Sequence, residues 1–343
     1  MAETTNIAWA HATWSPWRGC AKVSPGCDHC YAEAMSHRNP AVLGKWGPNG
    51  NRTVNADWKK PLQWDRAAAK AGERRRVFPS LCDPFEDFWG KVVDTDGNEP
   101  LANSWYPPLG RGGGDRLILN HVRERWSGLI RSTPNLDWLL LTKRPENVVG
   151  MSEDHFFGIP IDGSPVIPRN VWLGTSVEDQ QRADERIPHL LATPAAVRWL
   201  SVEPLLGPVD LTSWLVHDEF GRTGDRIQGD FEYRPISWVI VGGESGPNAR
   251  PCDVAWIRSI VRQSREAGVP VFVKQLGANV VASNDAVADW FGSVGHLDMA
   301  TTERFQGATG RIRGLRHPKG GDPMEWPEDL RVQEFPAVKG VVA

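Results

Sequence analysis

The feature that most constrains this chain's fold is a rhythm of short apolar runs. VFPSLC (77–82), DWLLLT (137–142), VWLGTS (171–176), RWLSVE (198–203), WVIVGG (238–243) and VPVFVK (269–274) recur along it. Each run is mostly apolar without strict alternation, the pattern of strands buried on both faces in a parallel sheet. Helical periodicity fills the gaps. Ile118, Val122, Trp126, Leu129 and Ile130 fall on one helical face, as do Ala183, Ile187, Leu190 and Leu191 behind an acidic start at Glu178 and Asp179. Asp253 is placed to N-cap a helix carrying Ile257, Ile260 and Val261, and Gly268 to stop it. With the N-terminal segment NIAWAHATW (6–14), the chain offers seven candidate strands alternating with helices. The pattern predicts an α/β fold, a partial (βα) barrel of six or seven parallel strands over 1–276. A C-terminal extension, 277–343, is expected to pack on it.

The stretch TWSPWRGCAKVSPGCDHCYAEAMSH (13–37) follows the first expected strand. It places Cys20, Cys27 and Cys30 within eleven positions, spaced C-x6-C-x2-C. Pro25 and Gly26 favour a turn between them. Such a loop can aim three thiolates at one centre, and thiolates select zinc or iron–sulfur groups. Three protein ligands leave a position open, whereas a closed structural site uses four. A zinc site completed by His29, Cys82 or Cys252 stays as the alternative, and ordinary buried cysteines as a third. After Cys30, YAEAMSH has helical composition, with Asn39-Pro40 ending the helix.

Each apolar run ends in polar residues: Asp83; Thr142, Lys143 and Arg144; Ser176 and Glu178; Glu203; Glu244 and Ser245; Lys274 and Gln275. In parallel βα barrels, sites are assembled at the carboxyl ends of strands, which makes these groups candidates for one rim. Arg144 supplies a bidentate fork for carboxylates or phosphates. An ion-pair ring that only holds the rim together is the competing account. GGESG (242–246) lacks the spacing and the Lys of a phosphate-binding loop.

Composition excludes some classes. A net charge of −3 gives no global basic field for nucleic acid. No apolar run approaches the roughly 20 residues that span a bilayer. Five cysteines without a secretory pattern predict a cytoplasmic protein. The 17 tryptophans are scattered and are read chiefly as core and loop packing, with a stacking surface as the lesser alternative. Residues 44–66, rich in Gly, Asn, Trp and Pro, read as a surface excursion, and 90–113 as an inserted loop. Arg74, Arg75 and Arg76 read as a solvated face. Arg311, Arg313, Arg316, His317 and Lys319 make part of the C-terminal arm basic.

The cysteine loop with His29 and Tyr31 resembles the cluster motif of radical S-adenosylmethionine enzymes, whose usual first spacing is three residues where this chain has six. GCAKVSPGCDHCYAEAM, LTKRP, SVEPLLGP and GGESGPNARP together resemble a phage-associated family carrying a three-cysteine motif. That family is related to radical S-adenosylmethionine proteins of the spore photoproduct lyase type. The resemblance runs from about Asn6 to the C-terminus. It implies a [4Fe–4S] cluster on Cys20, Cys27 and Cys30, S-adenosylmethionine as cofactor and an electron donor. A nucleic acid or nucleotide would be the substrate, in a bacterial host cytoplasm. Glu203 and Lys143 are assigned to catalysis, and His29, Tyr31, Arg144, Ser176, Glu178, Glu244 and Lys274 to cofactor contact. Two rivals stand beside this reading: a metal-stabilised, non-enzymatic protein acting with a partner chain, and a zinc hydrolase with Glu203 as general base.

Overall fold

The computed structural model describes residues 5–102, 116–158, 167–215, 236–283, 303–304, 309–311 and 315–337. Seven strands form one sheet in chain order: β1 (Ala12–Thr13), β2 (Arg75–Phe78), β3 (Leu136–Thr142), β4 (Val171–Ser176), β5 (Val197–Val202), β6 (Trp238–Gly242) and β7 (Val271–Gln275). The sheet is all-parallel, as a partial (βα) barrel requires. All seven expected strands are present. The N-terminal one is shorter than its apolar residues suggested, two residues instead of 6–14.

The chain's contacts gather into two compact units, Met1–Gly174 with Ala192–Ala196 and Thr175–Leu191 with Val197–Ala343. In the first unit, helices α1 (Tyr31–Arg38), α2 (Lys60–Ala71) and α3 (Leu119–Arg131) accompany the strands. Helix α1 ends at Asn39, as Asn39-Pro40 dictates. Helix α3 buries Val122, Trp126, Leu129 and Ile130 on the face that their spacing defines. The tryptophans pack edge to face in this unit: Trp14 lies 5.8 Å from Trp138, and Trp126 lies 5.9 Å from Trp138. Burial, not an open stacking surface, is the main use of the described tryptophans, Trp89 excepted.

Three expectations change here. Residues 44–66 are no surface excursion: Asn51–Val54 is a strand with Arg52, Thr53 and Val54 buried, and α2 begins at Lys60. Asn51–Val54 pairs with Trp17–Arg18 and with Lys91–Val93 in a three-stranded sheet. The expected loop at 90–113 therefore starts with a buried strand, and its residues 103–113 lie outside the described residues. The arginine run is not simply solvated either, since Arg74 pairs with Asp137 at 2.5 Å and Arg76 donates to the Trp9 carbonyl at 3.0 Å.

In the second unit, helices α4 (Gln180–Leu191) and α5 (Val254–Glu266) accompany the strands. Ala183, Ile187 and Leu190 are buried on α4, and Ile257, Ile260 and Val261 on α5. Asp253 caps α5 by accepting from the Ala255 N–H at 2.8 Å, and Gly268 follows the helix at φ +65°. Asp253→Ala leaves that N–H unsatisfied and is expected to cost about 1 kcal/mol, read as a lower denaturant midpoint. Cys252–Asp253, Val280–Ser283, Thr309–Arg311 and Glu303–Arg304 form a separate four-stranded sheet. Within 315–337 the chain runs beside β7: Val273 N–H donates to the Val332 carbonyl at 2.8 Å, and Leu276 N–H to that of Gly320 at 2.9 Å. Arg313 of the basic segment lies outside the described residues.

Candidate metal and cofactor site

The cysteine loop is built on local turn chemistry. Pro25–Cys27 forms a single 3-10 turn, and Cys30 takes the extended N-cap position of α1. Cys20, Cys27 and Cys30 are all half-buried and free of disulfides. Within the loop, Ser24 Oγ is buried and has no hydrogen-bond partner. His29 is exposed, and Tyr31, with 52% of its surface exposed, donates its hydroxyl to the Ser80 carbonyl at 3.0 Å.

Beneath Cys20 lies a buried charged network drawn from distant parts of the first unit. Asp83 collects four donors: the Thr142 hydroxyl (2.6 Å), the Phe85 N–H (3.0 Å), the Lys143 N–H (3.1 Å) and Arg144 Nη1 (2.8 Å). The same Arg144 Nη1 donates toward Cys20 Sγ at 3.7 Å, while Nη2 binds the Ala21 carbonyl at 2.8 Å. From the other side, Glu86 accepts the Ala21 N–H at 2.8 Å and is itself gripped by Arg52 at 2.6 and 2.7 Å. Arg123 donates to the carbonyls of Pro84 and Glu86. Burial pushes the Cys20 thiol up to about 12; Asp83 and Glu86 add to the rise and Arg144 opposes it. A metal binding there must displace the proton.

The donor chemistry fits a thiophilic group: three thiols free of disulfides on one short loop, an orphaned hydroxyl within it, and a guanidinium directed at one sulfur. The conformation does not itself gather them. No group of three His, Cys, Asp or Glu side chains able to hold a metal ion occurs among the described residues.

The second unit holds its own strand-end residues. Glu203 follows β5 and Lys274 lies in β7, the two strands flanking β6. Lys274 Nζ sits 3.0 Å from Glu203 Oε1 but off the hydrogen-bonding direction, so this buried oxygen accepts no hydrogen bond. Gly242, at the end of β6, makes room for the carboxylate. A Cβ there would stand 2.9 Å from Glu203 Oε1 and 3.0 Å from the Gln275 carbonyl. The other expected groups are already engaged. Ser176 and Glu178 are fully buried, with Glu178 Oε2 2.8 Å from Arg186 Nη1, and both oxygens of Glu244 accept from Arg250 at 2.6 and 3.1 Å. Sequence reasoning passed over Arg52, Glu86, Arg123, Arg186 and Arg250. Only Arg250, six residues from Glu244, left a local signal.

Fold and site together define a class: an α/β protein on a seven-stranded parallel sheet, with a three-thiol loop after its first strand and ionised groups at later strand ends. The chain belongs to the family described as "Protein of unknown function (DUF5131)", whose profile matches residues 4–95 and 115–313. The unmatched residues 96–114 overlap the insertion expected near 90–113. Comparison with curated proteins and with solved structures returned no match.

Proposed function

We propose that this chain is a radical S-adenosylmethionine iron–sulfur enzyme, with a [4Fe–4S] cluster on Cys20, Cys27 and Cys30 and with S-adenosylmethionine as cofactor. The observation that carries the proposal is the three-thiol loop after β1 of a parallel βα sheet, with Arg144 directed at Cys20. When bound, the pair would supply reductive cleavage of S-adenosylmethionine, with one electron from a separate donor, and hydrogen abstraction from a substrate.

The chain's own residues bind and orient. Arg144 holds the Ala21 carbonyl and Glu86 the Ala21 N–H, so the chain next to Cys20 is fixed at both peptide groups of Ala21. Tyr31, anchored at Ser80, and exposed His29 give the loop an aromatic wall. In the second unit Glu203 and Lys274, an ion pair at 3.0 Å, are the strand-end charges we assign to a ligand. Glu203 Oε1 has an unfilled acceptor site, while Ser176, Glu178 and Glu244 hold the scaffold. Lys143, half-buried beside Arg144, is the remaining candidate for proton movement. The substrate we propose is a nucleic acid or a nucleotide, which the resemblance supports and the net charge of −3 does not.

The test is anaerobic purification and reconstitution. The protein should be brown, bleach with dithionite, and convert S-adenosylmethionine slowly to 5′-deoxyadenosine and methionine. Stoichiometric zinc without iron would remove the radical reading. A second reading, a metal-stabilised protein acting with a partner chain, draws on one observation: most expected rim groups are buried and paired, as in a structural ion-pair ring. An intact cluster that neither binds nor cleaves S-adenosylmethionine would favour it.

A further inference from the structure

We infer that Arg144 is a positioning residue that sets the reduction potential of the metal group on the cysteine loop; the inference rests on the iron–sulfur reading above. The charge count of the network points to it. Arg52 and Arg144 pair with Asp83 and Glu86, and Arg123, which donates to the Pro84 and Glu86 carbonyls, feels the same two carboxylates, so these five buried side chains carry one positive charge in excess. A network serving cohesion alone would close on itself, since buried unbalanced charge is costly. Here the excess is directed. Arg144, held by Asp83 at 2.8 Å and by the Ala21 carbonyl at 2.8 Å, has Nη1 3.7 Å from Cys20 Sγ.

A guanidinium N–H on a ligating sulfur stabilises negative charge there. The reduced state of a cluster carries one more electron than the oxidised state, so it gains more, and the potential rises. The planar fork is needed. It reaches a carboxylate, a peptide carbonyl and a sulfur from one rigid group, which an ammonium cannot match in direction. Thr142 completes the arrangement: its hydroxyl donates to Asp83 at 2.6 Å and accepts the Arg144 N–H at 2.9 Å, fixing the start of the Arg144 side chain.

The test is a redox titration of anaerobically reconstituted full-length protein, wild type against Arg144→Lys and Arg144→Gln. Iron content and melting temperature are measured on the same preparations. The expected result is a shift of the midpoint to lower potential in Arg144→Gln, with a smaller shift in Arg144→Lys and iron retained in both. An iron-loaded Arg144→Gln protein with an unchanged midpoint overturns the inference and leaves Arg144 a cohesive residue, while the iron–sulfur reading stands. Should Arg144→Gln fail to fold because Asp83 is stranded, Asp83→Asn with Arg144→Gln is compared with Asp83→Asn alone. The double variant should titrate lower, and equal midpoints overturn the inference. Wild-type protein that takes up no iron overturns this inference and the proposed function together.

Discussion

Cys20→Ala, Cys27→Ala and Cys30→Ala are each expected to strip the anaerobically reconstituted protein of its iron, from about four atoms per chain to none. With three thiols available, removing one leaves two, too few to hold a cubane against solvent and exchange. Cys82→Ala and Cys252→Ala should keep the metal. The Cys82 comparison is the sharper one, because its thiol is electrostatically coupled to Cys20, and burial, with Asp83 beside it, pushes it well above the ordinary cysteine range. As the fourth ligand of a closed zinc site it would have to give up that strongly held proton. If Cys82→Ala releases the metal, the site is a four-ligand structural one and the open coordination position disappears with it. Metal analysis and absorption spectra on the five variants decide between these outcomes.

The second large effect is expected at Arg52 and Glu86. Both side chains are almost wholly buried, at 0% and 2% exposure, and share two hydrogen bonds of 2.6 and 2.7 Å. Arg52→Met or Glu86→Gln leaves the surviving partner charged or unsatisfied in the core, at a cost of roughly 3–5 kcal/mol. Arg52 also lies over the Phe88 ring at 3.8 Å, so Arg52→Met loses that contact as well. Arg52→Met combined with Glu86→Leu should recover part of the loss, because neither member of the pair is left charged without the other; the Ala21 N–H still loses its acceptor and Arg144 one of its two carboxylates. Denaturant titration of the two single variants and the double one measures the coupling. Single variants with wild-type midpoints would show that solvent reaches the pair.

These two predictions divide along the line between what was legible in the sequence and what was not. The strands could be read because being covered on both faces demands uninterrupted apolar residues, as in WVIVGG and VWLGTS. Helix α5 could be read because both its signals, Asp253 and Gly268, are local. The strand at Asn51–Val54 could not. Its buried Arg52 makes NRTV look polar, and the partner that permits burial, Glu86, stands 34 residues away. The same holds for the site. Strand-end residues such as Asp83, Arg144, Glu178 and Glu244 were visible as ionisable groups, but saturation is a tertiary property. Glu178 meets Arg186 only after α4 has formed, and Asp83 meets Arg144 only across 61 residues. Glu203 looked like its neighbours in sequence. What sets it apart is an oxygen met only by the Lys274 ammonium, outside hydrogen-bond geometry, and a glycine opposite it.

The tie between Cys20 and Arg144 has a consequence for the order of events during synthesis. The two residues are 124 positions apart, and the carboxylate that orients Arg144 is supplied from between them. A nascent chain therefore displays all three thiols long before it contains the guanidinium, the last component of their charged surroundings. Ribosome-bound intermediates shorter than this carry a loop with its sulfurs but without its counter-charge, in a chain that holds only β1, β2 and β3 of the seven-stranded sheet. On the iron–sulfur reading, a cluster inserted before Arg144 is made would meet its thiols without the guanidinium that faces Cys20 in the finished chain.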